Sequence, residues 1–386
     1  MLYVFLLCGL ASSLSARSLD PLVTLVARDF SVPVATAALI SSAYAFPFAL
    51  SQPVLGPLGD FYGKELVLKS CMIALALCLV GCAIAPEFET LLGFRLLSGV
   101  AAGGIMPVAM AIIGDRFAPA HRQLAIGRFL TSSQIGMVMG ASLAGYMGVA
   151  TGWRSFLWLA AVFTLACALL TLLYLKSPPR TRRGHISLAH ILRNYAEIFA
   201  NPKALVCFTT VFLEGMALFG ALPFVGALLE GHGAGGAREA GFILGAMAVG
   251  GIVYSLILPL LLRRLRRPQM MVIGACAAVS GLVGMLLGLA WPVQAALFFA
   301  TGFGFFMLHN SVHAEVADLS QTSRASAFSM HAFSFFLGQA IGPVVCGIGL
   351  GLAGQTWLVA NVIVFAATGL VAARIFAGFA AAQSKS

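Results

Sequence analysis

Charge is what this sequence has least of. Lys, Arg, Asp and Glu make up only 9% of its 386 residues, against 60% hydrophobic ones, and mean hydropathy is +0.97. So few charges cannot cover a water-soluble surface, so the chain reads as an integral membrane protein. Catalytic signatures are absent as well: there is no G-x-S-x-G, phosphate-binding loop, H-E-x-x-H or C-x-x-C, and the loops are too short to hold a catalytic domain. That argues against an enzyme. The eight cysteines (Cys8, Cys71, Cys78, Cys82, Cys167, Cys207, Cys276, Cys346) lack metal-type spacing and lie in apolar runs, as small free core residues do. A net charge of +10 invites a nucleic-acid partner, but the basic residues sit in short loops rather than on one face, which excludes that reading. The first run starts without a basic region and is interrupted by Arg17 and Asp20, so it reads as a retained span rather than a cleaved leader.

What is present is hydrophobic length. A helix needs about 20 apolar residues to cross about 30 Å of hydrocarbon, and its backbone must bond to itself there. The runs are continuous rather than alternating, so the predicted fold class is all-α with twelve transmembrane helices, at 2–27, 34–56, 66–86, 88–113, 123–148, 153–175, 204–229, 239–262, 269–290, 293–316, 324–351 and 355–379. Eighteen Lys and Arg fall on the face that carries Lys64 and three (Arg28, Arg154, Arg238) on the other, which predicts both termini on the cytoplasmic side. Residues 1–175 and 204–386 then form two six-helix bundles. Residues 176–203 form a basic linker, whose Leu188, Ile191, Leu192, Tyr195, Ile198 and Phe199 recur at the spacing of a short surface helix.

The two halves echo one another. A shift of 202 residues superposes Arg122 on Arg324, Ala125 on Ala327, Gly136 on Gly338, Gly140 on Gly342, Gly145 on Gly347 and Gly152 on Gly354. Gly-rich membrane helices produce some such matches by themselves, since they use glycine for close packing. Six in one ungapped window point to parallel copies of six spans each.

Between the second and third runs lies Gly56 to Leu66, G-P-L-G-D-F-Y-G-K-E-L, whose Gly56, Pro57, Gly59 and Gly63 predict a tight turn. It resembles the signature of the major facilitator superfamily through Gly56, Leu58, Asp60, Gly63 and Lys64, with Phe61 and Glu65 as departures. Arg95, Gly99, Ala102 and Gly103 resemble its second motif. Within that family the span with Gly136, Gly140 and Gly145 looks most like the drug:proton antiporter branch. Ala141 stands where that branch has proline, and the Gly-Pro pair appears instead as Gly342 and Pro343 in the repeat copy. The resemblance implies alternating access, with spans 1, 4, 7 and 10 around a central cavity. It also implies a cytoplasmic latch: Asp60 reaching the start of span 11 near Arg324, and Lys64 reaching Asp115, both tying the halves together. The counterpart of the loop, residues 258–267, keeps the positive charge as Arg266 but has no acid, so the latch is expected to be one-sided.

Ionisable groups inside hydrocarbon are expensive, so each is functional or paired. They are Arg17 and Asp20 on span 1, Arg95 on span 4, Glu214 on span 7, and His309, with Asn310 beside it, on span 10; His313 and Glu315 lie nearer the cytoplasm. At about 1.5 Å per residue Asp20 and Arg95 reach similar depth, as do Glu214 and His309, and Arg17 competes with Arg95 for Asp20. An acid locked to a guanidinium stays ionised, whereas one facing an imidazole away from water can exchange its proton. Glu214 is therefore the predicted proton carrier, His309 its partner and Asp20 the second choice; a fixed hydrogen bond between Glu214 and His309 is the plainer alternative. Arg17, Arg95, Tyr44, Gln134, Phe219 and Asn310 are the candidate substrate-cavity residues; Gly136, Gly140, Gly145, Gly338, Gly342 and Pro343 are candidates for helix packing. His309 and His313, four apart, are weak metal candidates, with His331 set five turns further on. No cofactor is expected beyond a proton gradient. The predicted function is proton-coupled efflux of small lipophilic or amphipathic compounds by a monomer amid lipid, in a bacterial inner membrane. The alternatives are an importer or facilitator of a small organic solute or metal ion, and a transporter-like sensor or lipid-handling protein.

Overall fold

A computed structural model describes residues 2–176, 188–320 and 324–383, with the side chains of 55–61 among those left undescribed. Those residues are helical almost throughout. Ten stretches are long and apolar enough to cross a membrane: Leu2–Asp29, Val34–Val54, Lys64–Ile84, Phe88–Arg116, Trp153–Tyr174, Pro202–Gly231, Ala237–Arg264, Arg267–Leu286, Trp291–Ala317 and Ser326–Phe379. The last divides at Gly354 into two helices, Arg324–Ala353 and Trp357–Gln383, and the helix Pro119–Ala150 supplies the remaining rod, so the twelve expected spans are present. They are numbered 1 to 12 in chain order. A short helix, Leu188–Ala200, precedes span 7 and buries Ile198 while leaving Phe199 exposed.

Spans 1 and 7 are each broken. In span 1 the α-helix ends at Ala16, and the chain passes through a 3-10 turn at Asp20–Leu22 before resuming at Val23. In span 7 Glu214 ends the α-helix, a π-helical turn runs over Gly215–Phe219, and a 3-10 turn at Leu222–Phe224 leads into Val225–Gly231. Each 3-10 turn holds a proline, Pro21 or Pro223, 202 residues apart, and proline removes a helix hydrogen bond and crowds the preceding turn.

The repeat is built into the contacts. A Cβ on Gly136 would strike the carbonyl oxygen of Leu10 and one on Gly140 that of Leu14; Gly338 and Gly342 stand in the same relation to Phe212 and Met216, all four pairs displaced by 202. Spans 5 and 11 thus ride on the backbones of spans 1 and 7 at a distance only glycine permits. Gly145 meets Ala237 and Gly241 of span 8, while Gly347 meets Ala35 at the start of span 2, the same relation again. Even the ion pairs repeat: Arg116 donates to Glu65 at 2.7 Å and Arg267 to Asp318 at 3.4 Å, the same two positions with the charges exchanged.

Two expectations need correction. The Gly56 to Leu66 stretch is not a loop, because helix runs from Leu39 to Tyr62 and restarts at Lys64. Gly63 alone makes the turn, at φ 102°, a left-handed conformation that side chains resist. The latch also differs. Lys64 does donate to Asp115, at 2.8 Å, but both belong to the first half, so this bond does not cross between the halves. The Asp60 side chain lies outside the described residues, as do the surroundings of Gly56, and with them the contact expected with Arg324. Lys203 and Arg267, both bound to Glu315, likewise stay within the second half. The halves meet at the opposite face, where Arg28 donates to Glu230 at 2.8 Å and Ser142 to the carbonyl of Gly241 at 3.4 Å, and midway where the Phe48 and Phe336 rings lie 4.2 Å apart. The molecule is therefore closed on the Arg28 face.

Candidate functional site

Two polar clusters sit in the middle of the bundle, one in each half. In the second half Glu214, completely buried where the π-helical turn begins, meets Nδ1 of His309 at 2.8 Å through one carboxylate oxygen. Its other oxygen has no partner among the described residues. A π-helical turn widens the helix and re-aims its side chains, and such turns gather at functional sites. His309 lies among aromatic rings: Phe305 stacks on it with centroids 5.1 Å apart, and Phe335 tilts against it at 4.7 Å. Its second nitrogen, Nε2, stands 3.3 Å from Nε2 of His331 on span 11.

In the first half Asp20 accepts from Arg17 at 3.1 Å and from the Ser41 hydroxyl at 2.5 Å. Arg95 does not take part, contrary to the depth argument. It is wholly buried, and its guanidinium donates at 3.4 Å to the carbonyls of Ser15, Ala16 and Ile40 while lying 4.6 Å over the Tyr44 ring. Ser15 and Ala16 end the first helix of span 1, so their carbonyls lack helical partners, and the negative end of the helix dipole favours a cation there. Arg95 and Tyr44 are thus sealed supports of a helix end rather than exposed cavity wall.

Arg17 reaches the other half. It donates to the side-chain oxygen of Gln339 on span 11, and its guanidinium lies 4.7 Å over the ring of Phe219 on span 7. Phe219 in turn meets Phe305 edge-on at 5.1 Å and Phe335 at 5.4 Å. Arg17, Phe219 and Phe305 therefore connect the acid–arginine pair of one half to the acid–histidine pair of the other. Gln134 and Asn310 are half-buried on spans 5 and 10. His313 stacks on Phe328 at 4.6 Å, and among the described residues no three His, Cys, Asp or Glu side chains form a group able to hold a metal ion.

Sequence reasoning set His331 apart from His309, and the structure joins them. His309 lies eight residues before the end of span 10 at Ala317, and His331 seven after the start of span 11 at Arg324. The depth arithmetic that paired Glu214 with His309 puts His331 at the same level, so that signal was readable. Gln339 and Ser41 had none, because an amide and a hydroxyl are common in membrane helices.

The family model described as Major Facilitator Superfamily matches residues 5–343. The chain belongs to this superfamily. It is 26% identical over 380 residues to YfhI of Bacillus subtilis, an uncharacterised transporter of the same type, a match covering 96% of this chain and 92% of YfhI. A second B. subtilis transporter of this type, YwfA, is 26% identical over 233 residues, covering 60% of this chain and 57% of its own. Among solved structures, a point mutant of the nucleoside transporter NupG superposes with a TM-score of 0.77 at 18% identity, covering 97% of this chain and 98% of its own. An inward-facing, unoccupied bacterial homologue of the lysosomal transporter Spinster superposes at 0.74 and 16% identity, covering 98% and 97%. The superfamily fold, two related six-helix halves in a membrane, is that of this chain. It is a transporter and not an enzyme.

Proposed function

We propose that this superfamily member is a proton-coupled exporter of small lipophilic or amphipathic compounds, of the drug:proton antiporter kind, working by alternating access as a monomer in a bacterial inner membrane with both termini cytoplasmic. The observation that carries the reading is Glu214: an acid with no exposed surface, one oxygen on an imidazole and the other unpartnered among the described residues. An ionised carboxylate in that setting has no fixed cation to offset its lost hydration, so its charge depends on whether it holds a proton. Phe219, Phe305 and Phe335 around the pair suit an apolar ligand body better than a sugar. Asp20, held by both Arg17 and Ser41, fits a structural anchor between spans 1 and 2 better than a carrier.

The test is flux in proteoliposomes under a pH gradient imposed in either direction, across a panel of lipophilic cations, weak acids and neutral dyes. Glu214→Gln is expected to abolish gradient-driven flux while substrate exchange without a gradient continues. Driven flux that survives this substitution would remove Glu214 from the coupling role.

A further inference from the structure

Glu214 has no exposed surface, so a proton must be brought to it, and the side chains beyond His309 form a row that ends at an exposed ring. His309 uses Nδ1 on Glu214 at 2.8 Å and Nε2 on His331 at 3.3 Å. His331 is itself buried, and its Nδ1 has no partner among the described residues. The ring of His313, 4.8 Å from that of His331, is exposed. Among the described residues, the ionisable side chains that bear on this row are its own members: Glu214 from span 7, His309 and His313 from span 10 and His331 from span 11.

A neutral imidazole carries one N–H and one bare nitrogen, so His309 can donate through only one of its two contacts. Two arrangements satisfy both. With Glu214 ionised, His309 donates from Nδ1 to the carboxylate and accepts at Nε2 from the Nε2–H of His331, whose Nδ1 is bare. With Glu214 protonated, every bond in the row is reversed: the carboxyl donates to His309 Nδ1, His309 Nε2–H donates to His331 Nε2, and His331 carries its hydrogen on Nδ1. The two differ by one proton.

We infer that His331 and His309 form a proton wire, entered from the His313 side, that charges and discharges Glu214. A proton bonds to His331 Nδ1; the Nε2–H bond of His331 breaks as His309 Nε2–H forms; the Nδ1–H bond of His309 breaks as the O–H of Glu214 forms. One proton enters, one carboxylate is neutralised, and both imidazoles end neutral with their tautomers exchanged. Phe305 and Phe335, stacked on each other, both pack against the His309 ring, at 5.1 and 4.7 Å between centroids, and limit its rotation away from its partners. The same row explains why a histidine rather than an amide occupies position 331: an amide hydrogen-bonds but cannot take a proton on one atom and release another.

This rests on Glu214 as the proton carrier, and the experiment separates the two ideas. The full-length protein in lipid nanodiscs receives protons from a photolysed proton donor while infrared absorption follows the carboxyl C=O stretch of Glu214, identified by its loss in Glu214→Gln. The wire predicts that His331→Gln, which keeps a hydrogen-bonding partner for His309, and His331→Phe both slow the rise of this band by at least about tenfold with its final amplitude unchanged. An unchanged rate in both variants overturns the wire and leaves Glu214 as carrier. If the unsubstituted protein shows no band that Glu214→Gln removes, the carrier reading fails and the wire with it.

Discussion

Arg95 puts a full positive charge where no solvent reaches it, and three backbone carbonyls with an aromatic face are the setting that holds it. Removing the guanidinium takes the donor from the Ala16 carbonyl at the end of the first helix of span 1, at about 1–3 kcal/mol when buried without one, while the Ser15 carbonyl keeps the Ser18 hydroxyl. Arg95→Met is therefore expected to destabilise the protein by about 1–3 kcal/mol, read as a lower midpoint in thermal unfolding followed by size-exclusion fluorescence. Arg95→Lys should recover part of it, since one ammonium can serve some of those carbonyls; equal midpoints for all three proteins would refute the capping role. The depth of Arg95 was legible in the sequence but its partner was not. A carbonyl becomes an acceptor only once its helix is known to stop, and the stop at Ala16 precedes Pro21, whose effect on the turn before it depends on the fold.

Glycine seams are the clearest case at the scale of elements. Alanine at Gly140 or Gly342 would drive a methyl group into a carbonyl of the facing span, and backbone cannot swing aside as a side chain can. Each substitution is expected to cost about 1–3 kcal/mol by overpacking. Gly93 has nothing within 4 Å of where its Cβ would lie, so Gly93→Ala should leave stability unchanged or raise it by up to about 1 kcal/mol through helix propensity. Unfolding midpoints of the three variants check this, and a Gly140→Ala as stable as Gly93→Ala would mean that the seam relaxes freely. These seams were partly readable, because the 202-residue coincidences named Gly136, Gly140 and their copies. What each glycine touches was not, since the facing residue is a backbone atom without sequence identity. The turn at Gly63 was misjudged for a related reason: Gly56, Pro57 and Gly59 signal a break by type, but they fall in a last helical stretch that continues to Tyr62.

Over the whole molecule, closure at the Arg28 face depends on contacts between the halves, and the pair of Arg28 with Glu230 is an ionic one among them. Arg28 is 68% exposed, so the pair is worth only about 0.2–1 kcal/mol, enough to shift a balanced equilibrium by a small factor. Arg28→Glu should populate molecules open at that face by up to about fivefold more, and the double exchange Arg28→Glu with Glu230→Arg should restore the original balance. Spin labels across the two faces would report it; a double exchange that behaves like the single one would show that the pair does not set the balance. The number and order of spans were legible because the hydrophobic runs are long. Which face is closed was not, because it depends on contacts hundreds of residues apart.

Arg28 and Glu230 are also 202 residues apart, as are Arg17 and Phe219, so each contact joins a position to its own copy. Two first halves placed together would set Arg28 against Arg28 and Arg17 against Arg17, and two second halves would set Glu230 against Glu230. Like charges would meet in both homodimers, and only the mixed pair would be neutralised. Mate choice is thus written into the seam itself: produced as separate polypeptides, the halves should select each other over their own kind even with no linker to enforce it.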